Sequence, residues 1–478
     1  MIIKFLHLQF LALAIMKNLI LLLLVFVVLI GCDPAKKGGN TNPDPMPSDS
    51  LIVQDRYLVI FNRNYLEPTI EKYGLKIGEK GEKFLAEVEN YQKELVQQIQ
   101  GHVPDSLIND EIYFYTNFMV GFYGFLTEEQ KETLESDTSI ISEIIPDFLI
   151  DVNRTQIPQG RPIQQGRPIQ QGDTIKNDWN FDPNRAATYP VTAVGGPINI
   201  LPSNKRVWIF DSGIDATHPD LVNSVDTSKG KAFPGLFNNP HKDVTGHGTH
   251  VAGIIAAKKA SENTDRINGI NGLVPNAKVV SIKIVNKSGF TTLGHLGNAW
   301  NYVSHPSTGA QSNDVILMAL GSIQNINVCE TLGNVLVERL RNLASEGVYI
   351  VMSAGNCELD PNGVCVGTRN SLQNWPGCIS GPNIFTIGSI DNTNTTIGGI
   401  SNFSFYGQPS VDFLTPGNNV LSCRPGNGYI RYSGTSMSAA IFAGLLYSVD
   451  DWPSDAIRFQ EYLNPLDTKI YQIPIRTP

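Results

Sequence analysis

What this chain has little of narrows its function first. Its 478 residues carry 36 basic and 45 acidic side chains, a formal charge of −9, and the basic ones never gather: adjacent cations come no more than two together, as at Lys36-Lys37 and Lys258-Lys259. Without a basic stripe there is no electrostatic footprint for nucleic acid. Cysteine is scarce as well, with six in all, and no zinc-site spacing among them. The longest apolar run, Leu19 to Ile30, is shorter than the roughly 20 residues a membrane span needs. The chain is too long for one compact domain and has room for two or three.

The apolar run has another use. Met16-Lys17-Asn18 puts a positive charge ahead of it, and Gly31-Cys32 follows. A short positive start, an apolar core and a small residue make a secretory signal, so residues 1–31 read as a signal peptide, with Met16 the more natural start. Leu29-Ile30-Gly31-Cys32 resembles the bacterial lipobox, whose cysteine becomes the lipidated N-terminus. That resemblance implies lipidation at Cys32 and a protein exported to the bacterial cell envelope and held there by acyl chains. Residues 32–54, rich in Pro, Gly, Asn and Ser, then read as a flexible tether. An exported protein can keep disulfides. Five cysteines remain after Cys32, so at least one thiol stays unpaired within the chain. Cys357, Cys365 and Cys378 are expected to hold one bridge between them, with the pairing open.

Residues 55–150 read as a small α+β unit. Arg56 to Phe61 is β-prone, Glu79 to Gln100 is rich in helix formers, Tyr113 to Phe125 is aromatic, and Ile140 to Ile150 is a final strand. Thr127-Glu128-Glu129-Gln130 has the form of a capping box opening a helix. Residues 151–176 contain Gln-Gly-Arg-Pro-Ile-Gln twice. Such a repeat builds no core and reads as an exposed, cleavable joint.

From 177 to 478 apolar strands alternate with helical stretches: strands over 207–210, 279–285, 315–320, 348–353 and 385–389, helices over 247–257 and 334–345. That pattern predicts an α/β domain with a mostly parallel sheet, whose ligands sit at the carboxyl ends of the strands. Polar groups fall there. Asp211 follows the first strand and Asn356 another; His247 lies between glycines before a small-residue helix; Ser436 opens a run of small and apolar residues. Each alone has a bland reading, as a turn cap, a structural imidazole or a helix N-cap. Together they supply a nucleophile, a base, a carboxylate to orient the base and an amide for an oxyanion.

Asp211-Ser212-Gly213-Ile214-Asp215, Gly246-His247-Gly248-Thr249-His250-Val251-Ala252-Gly253, Ser353-Ala354-Gly355-Asn356 and Gly434-Thr435-Ser436-Met437-Ser438 resemble the motifs of the subtilisin-like serine proteases, in that family's order. Phe403 to Gly407 and Val411 to Gly417 are similar to the run that precedes its serine. The resemblance implies a subtilisin-like three-layer fold and a serine endopeptidase, with Asp211, His247 and Ser436 as the triad and Asn356 with the Ser436 N–H as the oxyanion hole. It implies that Ser288-Gly289-Phe290 and Ala319-Leu320-Gly321 pair with substrate backbone. It also implies that 55–150 is an inhibitory pro-domain that keeps a zymogen silent until the joint is cut. Polypeptide substrates, this pro-domain and the membrane are the expected partners.

No cofactor is needed for the chemistry; a structural calcium is compatible with the family, without assigned ligands, in loops such as 215–226 or 357–363 that have no EF-hand register. Two positions depart from the family: Ala440 stands where a proline is usual and Ala319 where a serine is usual. Neither removes a triad member, so retained activity is expected. The 452–478 tail is expected to close the domain.

Overall fold

The computed structural model describes residues 52–62, 113–115, 120–151, 181–182, 184–201, 203–233, 239–259, 269–323, 329, 334–367, 369–392 and 397–477. The signal segment, Cys32, the helix expected over 79–100 and all of the joint after Asp151 lie outside them. The described residues belong to one compact unit, Ser48–Pro478. Among them no helix is long and apolar enough to cross a membrane.

Among the described residues the larger sheet has ten strands. Its order is Ile457–Leu463, Ile470–Arg476, Phe413–Pro416, Ile384–Asn392, Tyr349–Ser353, Val315–Met318, Val207–Asp211, Val279–Lys283 and Lys231–Ala232, with Ile397–Ile400 paired to Ile384–Asn392. All neighbours are parallel except the last pair and the C-terminal hairpin. The central strands are apolar throughout, as a sheet covered on both faces requires. Alternate residues serve the two faces. Val207, Ile209, Val315, Leu317 and Val351 pack with the helices His247–Ala256 and Thr435–Tyr447. Trp208, Phe210, Ile316, Met318, Ile350 and Met352 pack with Leu293–Val303 and Asn334–Ser345. The result is the expected three-layer α/β architecture with a mostly parallel sheet.

The smaller sheet is antiparallel, in the order Phe290–Thr292, Ile141–Asp151, Ile52–Phe61, Gly121–Phe125 and Tyr113–Tyr115. Its first strand starts at Ile52, so the end of the expected tether is already structured. The helix Glu128–Ser136 opens with the capping box: Gln130 N–H donates to Thr127 Oγ1 and Thr127 N–H to Gln130 Oε1. The sheet's fifth strand, Phe290–Thr292, comes from the large domain.

The tail closes the opposite edge of the large sheet. Ile470–Arg476 lies parallel to Phe413–Pro416, pairing Phe413 with Gln472. Trp452 stands in an aromatic cluster with Phe385, Phe413, Phe442 and Phe459. The bridges are Cys329–Cys378 and Cys357–Cys365. Cys423 stays a thiol, and burial pushes that thiol well above its ordinary pKa.

Candidate active site

In a parallel sheet all carboxyl ends lie on one side. Val207–Asp211, Val315–Met318 and Tyr349–Ser353 are consecutive neighbours, so Asp211, Ala319–Gly321 and Ala354–Asn356 leave the sheet side by side. His247 opens a helix that packs against Val207–Asp211. Its Nδ1 lies 2.9 Å from Asp211 Oδ1 and 2.8 Å from Oδ2, with both side chains buried. Gly248 makes this approach possible, since a Cβ there would stand 2.2 Å from the Gly213 carbonyl oxygen and 3.1 Å from Asp211 Cβ.

The start of the His247 helix rests on a residue for which the sequence suggested no role. The buried Asp243 carboxylate accepts from Ser212 Oγ (2.8 Å), Gly246 N–H (2.9 Å), Thr249 N–H (2.9 Å) and Thr249 Oγ1 (2.7 Å). Burial pushes its pKa up, against the pull of these donors. An acid three residues before a Gly-His helix start was the available signal. His250, three residues past His247, does not form a metal pair with it. Its Nε2 donates to the carbonyls of Val420 and Ile430, and burial lowers its pKa to about 3.

Ser436 lies in the first turn of the helix Thr435–Tyr447, which packs on the His247 helix and across the sheet. Its Oγ donates to the Ala319 carbonyl at 3.1 Å. Asn356 is tied to the same turn: its Oδ1 accepts from Thr435 N–H at 2.9 Å, and Gly355 N–H donates to Thr435 Oγ1 at 3.2 Å. With Oδ1 so engaged, the Asn356 amide points its N–H groups away from Thr435 N. The 403–407 stretch braces this loop, with Phe405 N–H on the Gly355 carbonyl and Cys357 N–H on the Phe403 carbonyl. The 411–417 stretch braces the helix start. Thr415 Oγ1 donates to the Ser438 carbonyl (2.8 Å) and Ser438 Oγ to the Thr415 carbonyl (2.9 Å). Gly434 N–H donates to the Gly417 carbonyl. Ala440 is fully buried one turn later, so this bracing, not a proline, holds the turn.

Of the two stretches expected to pair with substrate, the first is part turn and part strand. Ser288 and Gly289 form a turn around Asn286, whose Oδ1 accepts from Ser288 N–H and Phe290 N–H. The pairing edge is Phe290–Thr292, and it is occupied by the N-terminal sheet: Phe290, Thr291 and Thr292 pair with Asp151, Ile150 and Leu149. Behind it, Gly294 N–H donates to Asp147 Oδ1 (3.1 Å), Tyr123 OH donates to Asp147 Oδ2 (2.7 Å), and Tyr115 OH donates to the Gly294 carbonyl (3.0 Å). A Cβ at Gly294 would stand 2.3 Å from the Tyr123 ring. The second stretch, Ala319-Leu320-Gly321, follows its strand as expected, with Ala319 and Leu320 buried.

Three acids of the candidate calcium loops face protein donors. Asp215 accepts from Thr217 N–H, Thr217 Oγ1 and Gly426 N–H; Asp226 pairs with Arg206 at 2.9 Å; Asp360 accepts from Asn362 and Val364 N–H. Among the described residues, His218, Asp220 and Cys423 also place possible ligand atoms within 4.8 Å of one another. Both His218 nitrogens are taken, however, Nε2 by the Gly428 carbonyl and Nδ1 by Asp220 N–H.

Residues 203–451 match the model of the Subtilase family. The chain is 32% identical over 248 residues to the intracellular serine protease of Paenibacillus polymyxa, covering 50% of this chain and 65% of that protein. It is 32% identical over 243 residues to the thermophilic serine proteinase of Bacillus sp. (strain AK1), covering 51% of each. Of the solved structures, a cold adapted subtilisin-like serine proteinase aligns at TM-score 0.39 and 22% identity, over 54% of this chain and 83% of that one. The chain spans about half to two thirds of the length of these curated relatives.

Proposed function

This chain belongs to the subtilase family, and on that premise we propose that it is an exported serine endopeptidase, lipid-anchored through Cys32 and made as a zymogen. The observation that carries the reading is the pairing of His247 Nδ1 with both oxygens of Asp211, on a helix packed against the one whose first turn holds Ser436.

In the proposed reaction a polypeptide lies along Phe290–Thr292 by strand addition. Its P1 N–H takes the Ala319 carbonyl, and the Ser436 hydroxyl turns from that carbonyl toward His247 Nε2. Oγ attacks the scissile carbonyl carbon while its proton passes to Nε2. Asp211 holds Nδ1–H and stabilises the imidazolium. The oxyanion is met by an Asn356 amide N–H and by Ser436 N–H, one of the first-turn amides that have no intrahelical carbonyl to bond. Collapse breaks the C–N bond, and Nε2 returns the proton to the leaving amine. Water, deprotonated by the same nitrogen, then frees the acyl group. The N-terminal sheet already lies on the Phe290–Thr292 edge, which supports its role as an intramolecular inhibitor released by cutting the 151–176 joint.

Ser436→Ala should abolish both peptide hydrolysis and release of the N-terminal domain; continued self-release by this variant would assign maturation to another protease. Cys32→Ser should move the protein from the detergent phase to the aqueous phase, and mass spectrometry of the native protein should show an acylated Cys32.

A further inference from the structure

We infer that Asn374 fills the floor of the P1 site, so that the enzyme cleaves after short side chains (Gly, Ala or Ser) and rejects aromatic and long aliphatic ones. This rests on the endopeptidase reading above and narrows its substrate class.

Ser436 Oγ lies on the Ala319 carbonyl, and Asn356 is fixed across from it on the same helix turn. A scissile carbonyl placed between them sets the P1 side chain between two stretches, Ala319–Gly321 and Ser353–Asn356. These follow neighbouring parallel strands in register, Met318 beside Met352. Their separation is small: Ser353 Oγ donates across it to the Leu320 carbonyl at 3.3 Å.

Asn374 comes into this space from a separate segment. Asn374-Trp375 pairs antiparallel with Ser322-Ile323, directly after Gly321. The Asn374 Nδ2 donates to the Ser353 carbonyl at 3.1 Å. Three glycines already give way to this amide. A Cβ at Gly321 would stand 2.3 Å from Asn374 Oδ1, one at Gly355 2.8 Å from Asn374 Cγ, and one at Gly377 2.9 Å from Asn374 Nδ2. Asn374 is 2% exposed, beside the buried Trp375 and Phe405, and its hydrogen bond to Ser353 holds it in place. A long P1 side chain must displace a packed, hydrogen-bonded amide, and overpacking of this kind is costly. A side chain of one or two heavy atoms ends above it.

The test uses the full chain after self-processing and quenched peptides that differ only at P1. In the unaltered protein kcat/KM for Ala or Ser at P1 should exceed that for Phe or Leu by at least about tenfold, the scale on which a methylene-sized misfit is discriminated. Asn374→Gly should raise the Phe-to-Ala ratio by about tenfold or more, with thermal melting as the check on folding. Equal or faster cleavage after Phe or Leu by the unaltered protein overturns the inference, whether or not the variant folds. So does an unchanged ratio in a folded variant. Failure to hydrolyse any of the peptides, together with no labelling of Ser436 by a fluorophosphonate, overturns the endopeptidase reading and this inference with it; labelling with a preference for large P1 residues overturns this inference alone.

Discussion

The helix that carries His247 begins on a buried ionisable group, whereas the helix that carries Ser436 begins on hydroxyls and backbone. Asp243 gathers five donors around the first, among them both polar groups of Thr249 and, at 3.4 Å, Thr245 Oγ1. Thr415 and Ser438 exchange hydroxyl–carbonyl bonds around the second, with Gly417 taking the Gly434 N–H. The first satisfies orphan N–H groups of a helix start in a dry interior; the second pairs hydroxyls with carbonyls and takes the N–H of Gly434 just ahead of its helix. They differ in what breaks them. The first is vulnerable to loss of a charge, the second to a change of shape.

The largest break should come from Asp243→Ala. It leaves buried donors without acceptors, and with hydrogen bonds to a charged group at stake it should cost roughly 3 kcal/mol or more in urea unfolding. Activity should fall with it, because the His247 turn loses its anchor. Gly417→Ala tests the other helix. Its Cβ would stand 2.2 Å from Ser438 Oγ and 2.6 Å from the Gly434 carbonyl oxygen, so a loss of roughly 2–3 kcal/mol is expected from overpacking. If it is neutral, the Ser436 turn is less tightly braced than its contacts imply.

Acidity sharpens the comparison. Burial, then the neighbouring His247, lowers the His250 pKa to about 3. A group whose folded pKa lies below its unfolded value near 6.5 loses its stability contribution as pH falls from there toward 3. The slope is about 1.4 kcal/mol per pH unit, so roughly 2 kcal/mol is lost by pH 5. His250→Gln, which still carries a donor, should flatten that limb in urea midpoints taken against pH. On the Ser436 side, Asp412 precedes the strand that bears Thr415, and burial raises its pKa to about 7. A raised carboxyl acts with the opposite sign: its contribution is intact below about pH 4 and is lost as pH rises toward 7. Asp412→Asn should remove that loss alone. The smallest effect belongs to Thr415→Val. It deletes one hydroxyl bond at nearly constant shape and should cost about 1 kcal/mol, measured by thermal melting.

Much of this was legible in the chain. Apolar runs located the central strands, because a sheet covered on both faces is apolar on both. Thr127 and Gln130 announced their helix, since a capping box is a contact between residues three apart. Asp211, His247, Asn356 and Ser436 were legible because each follows a strand or opens a helix, and in parallel α/β folds those ends converge. Local signals did not show that Asn286 folds Ser288 and Gly289 into a turn, or that Phe290–Thr292 pairs with the N-terminal sheet. They left the disulfides open, because pairing depends on which loops meet.

Read alone, the chain determined its α/β class, its strand and helix sites and the chemical kinds of its polar groups, since these follow from periodicity and from residues a few positions apart. Only the tertiary structure decided how those groups are held and what else reaches them. Asp243 ties the His247 turn to Ser212 across 31 residues, Thr415 meets Ser438 across 23 residues, and Asn374 enters between two strand ends from its own short strand. Each is a contact between segments distant in sequence. Its energy depends on burial and on donors brought within about 3 Å, which no local pattern encodes.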